Sequence, residues 1–347
     1  MPLRKPMSIG LSLTIGLVSG FAFFKLGLPL PWMLGPLICN TIAALAGLPV
    51  AAPKRLRPYV IPIIGVMLGA SVTSEVLGQL VQWSVAAVIM AVFLAVAATV
   101  SFVLYRRIGG YDRVTAFFSA MPGGLNDMIL IGGSWGGDER KIALAHASRV
   151  LMTIVIVGLV FGLVFGVRSN SGAATNWIAV DALSASDWAI LIGCAAIGSP
   201  LGKMLRLPTG ILLGPMLLSA IAHVTHMVEI APPSLLVVAA QIVLGSNIGC
   251  QFVGSKLRDI AQDLVLGLGS CVSMLLCATA FTLASAALIE APLPNVFLAF
   301  SPGGLTEMSL LALAMHLDVA FVSVMHILRI LLVVAAAPLV FRFTGSR

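Results

Sequence analysis

Long apolar runs recur from one end of the chain to the other, separated by short polar stretches rich in Lys, Arg, Gly and Pro. A membrane-spanning helix needs about 17–25 predominantly apolar residues. Ten runs meet that length: 8–26, 31–49, 58–80, 83–105 and 141–166 in the first half, then 187–203, 208–228, 233–253, 264–289 and 319–341 in the second. Two further segments, 111–135 and 294–316, each hold a short apolar stretch, a Pro-Gly-Gly break and a second short stretch. Proline removes a backbone donor and glycine admits positive φ, so each break predicts a helix that stops and starts again. The pattern is that of an all-α polytopic membrane protein.

The same pattern is written twice. Pro122-Gly123-Gly124-Leu125 recurs 180 positions later as Pro302-Gly303-Gly304-Leu305. In that register Asp127 faces Glu307, Asp138 faces Asp318, His146 faces His326 and Arg149 faces Arg329. Upstream, Leu34-Gly35-Pro36 matches Leu213-Gly214-Pro215 at a shift of 179, with Pro29 opposite Pro208. Chance does not place two acids, a His and an Arg in one ungapped register, so the chain is a tandem duplication. Its expected domains are a first membrane repeat, 8–166, a polar periplasmic linker, 167–186, and a second repeat, 187–341.

These paired blocks resemble the bacterial AbrB family of duplicated inner-membrane proteins, and the resemblance covers nearly the whole chain. Members carry labels of two kinds, ammonia monooxygenase and regulator of gene expression. The resemblance implies the architecture and the bacterial inner membrane, with either activity as an expectation.

Charge decides how the broken segments cross. If both are re-entrant hairpins and the N-terminus is cytoplasmic, the groups Lys54-Arg55-Arg57, Arg106-Arg107-Arg113, Arg140-Lys141, Lys203-Arg206, Lys256-Arg258 and Arg342-Arg347 all fall inside, leaving Lys25 and Arg168 outside. If both are full crossings, Lys203, Arg206, Lys256 and Arg258 are forced outside, against the positive-inside bias. Five crossings per half is an odd number, so the second half is expected to be inverted and both termini cytoplasmic. Inverted repeats with interrupted helices are the architecture of secondary transporters, whose sites lie near the midplane.

Composition narrows the function further. Of 347 residues, 59% are hydrophobic and 10% charged, against about 25% charged in soluble domains. The interval Arg168 to Asp187 is the longest without an apolar run, too short for a folded soluble domain. A DNA-binding head, a nucleotide-binding domain and a kinase module are excluded, and the net charge of +7 reads as cytoplasmic-loop Lys and Arg rather than a nucleic-acid surface. The five cysteines lie inside apolar runs with no CxxC pair, so neither disulfides nor zinc are implied. Arg4-Lys5 before an apolar run imitates a signal peptide, but no cleavage site follows and the run has a later counterpart. No cofactor is implied. Expected partners are the lipid bilayer and a small solute or ion, without direct nucleic-acid contact and with homodimerisation open.

The candidate chemistry sits at the breaks. Arg149 lies about 13 Å into its helix past Arg140, and Arg329 enters at a comparable depth from the other side. Ionisable residues inside a membrane are functional candidates by default. Arg149 and Arg329, with Gly123, Gly124, Asn126, Gly303, Gly304 and Thr306 around the exposed helix ends, are the expected substrate-binding set. Asp127 and Glu307, with His146 and His326 one turn before each Arg, are the expected ion-coupling set. The competing reading is that the acids neutralise the arginines and lock the packing, with each His satisfied by a carbonyl or hydroxyl. Asp138 and Asp318 are expected to cap their helices. Leu34-Gly35-Pro36 and its partner are expected helix contacts, and Ser71 and Asn247 candidate polar lining.

A monooxygenase would need metal ligands. His223, His226 and Glu229, at i, i+3 and i+6, could place two ligands on one flank, but they lie at a helix end with no first-half equivalent. A regulator without a soluble domain must act through a partner or a metabolite. A secondary transporter working by alternating access, coupled to H⁺ or Na⁺ and carrying a small anionic solute, is the favoured expectation; no enzymatic activity is expected.

Overall fold

A computed structural model describes residues 5–72, 83–164, 177–254, 257–289 and 291–345, and the regular structure among them is entirely helical. The first half gives α1 (Lys5–Lys25), α2 (Pro31–Leu45), α3 (Arg57–Ala70), α4 (Trp83–Val103), α5 (Arg113–Ala120), α6 (Leu125–Ser134) and α7 (Glu139–Val164). The second gives α8 (Ala185–Met204), α9 (Gly210–Val224), α10 (Ser234–Gly249), α11 (Leu257–Ala284), α12 (Leu293–Phe300), α13 (Leu305–Ala314) and α14 (Val319–Gly345). Each Pro-Gly-Gly segment is a helix, a break and a helix, as the sequence predicts. Linker residues 167–176, Lys256 and the last part of the 58–80 run lie outside the described residues.

Seven of these helices are long and apolar enough to cross a membrane. Of the ten expected, α3 shows 14 residues with the rest of its run outside the described residues, and the expectation needs correction at α2 and α9, which have 15 residues each. That is about 22 Å of helix against about 30 Å of hydrocarbon. Both start abruptly, at Leu30 and Thr209, whose φ of 44° and 49° lies in the left-handed region. Both end on a second left-handed residue, Gly47 after α2 and His226 after α9. There the Leu48 and Met227 amides bond back to the Ala43 and Ala222 carbonyls at 2.9 Å, the closure that ends a helix through a left-handed residue. Backbone geometry rather than polarity sets their length.

Those left-handed positions repeat in the register of the duplication: Gly27 with Arg206, Leu30 with Thr209, Gly47 with His226, and Gly136 with His316. Non-glycine residues resist this conformation, so these four turns match locally in backbone as well as in sequence register.

The contacts divide the chain into two compact units, each drawn from both halves. One comprises Met1–Gly78, Val155–Lys256 and Ser309–Ala320; the other Gln79–Ile154, Leu257–Met308 and Phe321–Arg347. In the first unit, α2 packs on α10 and α9 packs on α3, through equivalent atoms. A Cβ at Gly65 would strike the Leu212 carbonyl and Pro215; one at Gly245 would strike the Met33 carbonyl and Pro36. Gly69 meets Met216 and Ser219, while Gly249 meets Leu37 and Asn40. Gly35 and Gly214 press against the backbones of Ser19 and Gly198, so the Leu-Gly-Pro motifs are helix contacts. Small residues at such crossings are what membrane helices use to approach closely.

The outer helices of this unit are inside-out by the standard of water-soluble proteins. α1 buries Ser8, Ser12, Gly16, Ser19 and Gly20, while Leu17, Val18 and Phe21 are more than half exposed. α8 buries Leu191 together with the smaller Cys194, Gly198 and Gly202, and exposes Ile192 and Ile197. A surface of large apolar side chains over small packed ones fits lipid, not water.

Candidate functional site

The second unit holds both Pro-Gly-Gly breaks and both histidine–arginine pairs. Arg149 and Arg329 are 2% and 4% exposed. Each guanidinium turns to the end of the preceding short helix. Arg149 Nη1 donates to the Ser119 carbonyl at 3.3 Å, in the last turn of α5. Arg329 Nη1 donates to the Ser301 carbonyl at 2.5 Å, immediately after α12, and its Nη2 donates to the Gly303 carbonyl. The last carbonyls of a helix have no partner within it and carry partial negative charge. The break therefore exposes the carbonyls that the arginine needs, which joins two features that the sequence had only set side by side.

The acids stand elsewhere. Asp127 and Glu307 occupy the third positions of α6 and α13, folded back over Gly124 and Gly304 at their own helix N-termini. Asp127 is exposed and Glu307 half-buried. Neither guanidinium is paired with a carboxylate among the described residues; an exposed ion pair, His226–Glu229 at 3.6 Å, belongs to the first unit. Each guanidinium bonds to carbonyls instead of the carboxylates with which the competing reading paired it. Gly123, Gly303 and Gly304 lie at the breaks, and Thr306 follows in the first turn of α13; the Asn126 side chain lies outside the described residues.

The histidines differ. His146 Nδ1 receives a bond from Arg149 Nη2 at 2.8 Å, while its Nε2 meets the Phe118 carbonyl at 2.9 Å. Arginine only donates and a carbonyl only accepts, so the ring is neutral with its hydrogen on Nε2. His326 instead gives Nδ1–H to the Val322 carbonyl, 3.0 Å away on its own helix. Its Nε2 is buried without a partner, as are Arg149 Nε, Arg329 Nε, Ser119 Oγ and Tyr105 OH.

Sequence reasoning missed the tyrosines. Tyr111 OH donates to Asp263 at 2.6 Å, its carbonyl accepts from Arg106 at 2.8 Å, and Lys141 Nζ sits 4.9 Å from its ring centroid. Tyr105 stacks on it at 5.3 Å. The available signal was scarcity, since two of only three tyrosines in the chain fall within seven residues beside Arg106-Arg107.

Other candidates resolve into structure. Asp138 caps α7, accepting from the Lys141 amide at 3.1 Å, and Asp318 immediately precedes α14. Ser71 bonds to the Leu68 carbonyl, and Asn247 to the carbonyls of Val243 and Pro53, so neither is free lining and both belong to the other unit. His223 Nδ1 is held by the Ser219 carbonyl at 2.8 Å, whereas His226 is the left-handed residue equivalent to Gly47. The three-residue metal spacing thus reflects a helix end, and the described residues contain no cluster of three metal-type ligands.

An all-helical chain with seven helices, among the described residues, long and apolar enough to cross a membrane defines a class of polytopic membrane-type protein. The chain belongs to the AbrB family: the model for "Transition state regulatory protein AbrB" matches residues 32–345. It is 26% identical over 338 residues to "Putative regulator AbrB" of Escherichia coli (strain K12), covering 97% of this chain and 96% of that protein. It is likewise 26% identical over 355 residues to "Uncharacterized protein YhjN" of Bacillus subtilis (strain 168), covering 95% and 91%.

Proposed function

We propose that the protein is a secondary transporter of the bacterial inner membrane that moves a small anionic solute by alternating access. The observation that carries this reading is the pair of buried arginines, each anchored by carbonyls and without a carboxylate partner among the described residues. Carbonyl dipoles hold a guanidinium in place but do not neutralise it, and an uncompensated charge in a low-dielectric interior is costly. An anion arriving there supplies the missing charge. The helix breaks beside both arginines are what transporters place at their binding sites.

Asp127, Glu307, His146 and His326 are the groups proposed to handle the coupling H⁺ or Na⁺. His146 can take a proton on Nδ1 only by releasing Arg149, which would tie protonation to anion binding. Inverted repeats with cytoplasmic termini complete the reading, and single cysteines at Trp177 and Arg342 should then label from opposite sides. Regulation is the second reading, favoured by the name of the Escherichia coli relative; movement of a metabolite would itself change expression.

The test is the apparent unfolding midpoint of the detergent-solubilised protein with acetate, glycolate, phosphate, sulfate and chloride. A ligand bound only by the native state raises the midpoint by mass action. One or more anions should stabilise the parent and neither Arg149→Gln nor Arg329→Gln. If no anion acts on the parent, or the variants respond equally, the arginines are a structural device.

A further inference from the structure

Arg106 and Lys141 belong to different basic groups of the sequence, yet both are held on one tyrosine. Arg106 Nη1 donates to the Tyr111 carbonyl at 2.8 Å, and Lys141 Nζ sits 4.9 Å from the centre of the Tyr111 ring. All three residues lie in the second unit. The tyrosine is itself fixed at both ends. Its ring, in a residue 2% exposed, stacks on Tyr105 at 5.3 Å, and its hydroxyl donates to Asp263 at 2.6 Å. Its amide donates to the Tyr105 carbonyl at 3.1 Å. Two cations from separate helices are thus set on one rigid platform, and a positioned cation spends little entropy on binding an anion.

Neither cation is neutralised there. No carboxylate lies within ion-pair distance of Arg106 or Lys141 among the described residues. The nearest acids in sequence and in contact are engaged elsewhere: Asp263 with the Tyr111 hydroxyl, Asp112 with the Thr115 amide and Asp138 with the Lys141 amide. Arg106 spends one of its five N–H donors on the tyrosine carbonyl, and the Lys141 ammonium meets only the ring. Like charges gathered on one residue repel, and an anion shared between them relieves that repulsion.

The surface beside the pair is apolar. On α4, Val96, Val100 and Val103 recur at helical spacing and are all exposed, and Arg106 and Arg107 come next along that flank. A small soluble anion would meet the cations and leave this face unused. A phospholipid meets both, with its phosphate on the basic end and its chains along the valines.

We infer that Arg106 and Lys141 bind the phosphate of an anionic phospholipid, such as phosphatidylglycerol, whose acyl chains lie along the exposed face of α4. The site uses neither Arg149 nor Arg329, so it stands apart from the transport reading. Lys25 provides a matched contrast in the first unit: its Nζ sits 5.4 Å from the Phe21 ring centroid, with no second cation on that ring among the described residues.

The test uses the full-length protein, delipidated in dodecyl maltoside and titrated with dioleoylphosphatidylglycerol, dioleoylphosphatidylcholine or glycerol phosphate. Apparent affinities come from the concentration dependence of the unfolding midpoint. Phosphatidylglycerol should raise the midpoint saturably, and the other two should not. Arg106→Gln and Lys141→Gln should each weaken that affinity by roughly fivefold, the worth of one basic residue at an anionic surface. Lys141→Arg, which keeps the charge, should retain it, and Lys25→Gln should match the parent. Lys141→Gln removes only a ring contact, so it decides the matter should Arg106→Gln lower the midpoint without lipid. Equal stabilisation by glycerol phosphate would show a free-anion site and overturn the lipid assignment. Equal stabilisation by phosphatidylcholine, or an unchanged affinity in Lys141→Gln, would overturn the site itself.

Discussion

Arg149 donates to Nδ1 of His146 at 2.8 Å, and the same ring passes its remaining hydrogen to the Phe118 carbonyl. His146 is thus a rigid connector between α5 and α7. Its counterpart His326 bonds only to a carbonyl of its own helix, which already has a backbone partner there. Replacing His146 by Ala strands a buried guanidinium donor and a buried carbonyl, a loss of about 1–3 kcal/mol. His326→Ala strands neither. The unfolding midpoint should fall by several degrees for His146→Ala and distinctly less for His326→Ala; equal losses would mean that the connector has no special weight.

The exchange of helix partners in the first unit makes Gly69 and Gly249 equivalent. A Cβ on either would collide with a backbone carbonyl, of Met216 or Leu37, which cannot rotate away. Gly69→Ala and Gly249→Ala should each destabilise by about 1–3 kcal/mol or more. Gly193 has nothing within 4 Å of its Cβ position, so Gly193→Ala should leave the midpoint unchanged or raise it slightly. Yield and midpoint of the three variants, measured side by side, check the pattern.

His226 adopts φ 56° where the first half has Gly47. A glycine there would relieve the left-handed strain at no steric cost, against some loss of chain entropy. His226→Gly should therefore stabilise by about 0.5–1 kcal/mol. A destabilised variant would show that its contact with Glu229 outweighs the backbone.

Some of this was legible before any coordinates. The Pro-Gly-Gly breaks predicted two interrupted helices, and the 179–180 register predicted the paired His and Arg. What could not be read was which partner each charge takes. Opposite charges at similar depth suggest carboxylate–guanidinium pairs, because sequence shows side chains and hides the carbonyls that a helix end releases. The lengths of α2 and α9 were hidden at their C-terminal ends, where the apolar run continues past the left-handed residues Gly47 and His226 that close the helices. The His223-His226-Glu229 spacing reads as a helix end in the sequence, and the structure adds that His226 there occupies a glycine's conformation.

Asp112 was also missed, because it precedes an eight-residue helix rather than a full span. It caps α5, accepting from the Thr115 amide at 2.9 Å. Burial pushes its carboxyl upward, but hydrogen bonds from the Thr115 side chain and backbone and from the Val114 backbone outweigh it, and the group lies below its ordinary value. A lowered carboxyl stabilises the fold above the unfolded pKa, about 3.9, and loses that contribution as pH falls through the folded value. Asp112→Ala should cost about 1 kcal/mol near neutral pH. The gap between parent and variant midpoints should close on acidification below about pH 4; a gap independent of pH would point to packing instead.

The central claim is that the arginine pair receives an anion which the protein then carries across the bilayer. It is tested most directly by current on a solid-supported membrane bearing proteoliposomes, with concentration jumps of glycolate, acetate, phosphate and chloride, in the parent and in Arg149→Gln and Arg329→Gln. The account predicts a saturable current or accompanying pH change in the parent for at least one of these anions, absent from both variants although they are folded and reconstituted. An anion that stabilises the parent yet moves no charge and no protons would contradict it, and would leave the protein a membrane sensor of that anion.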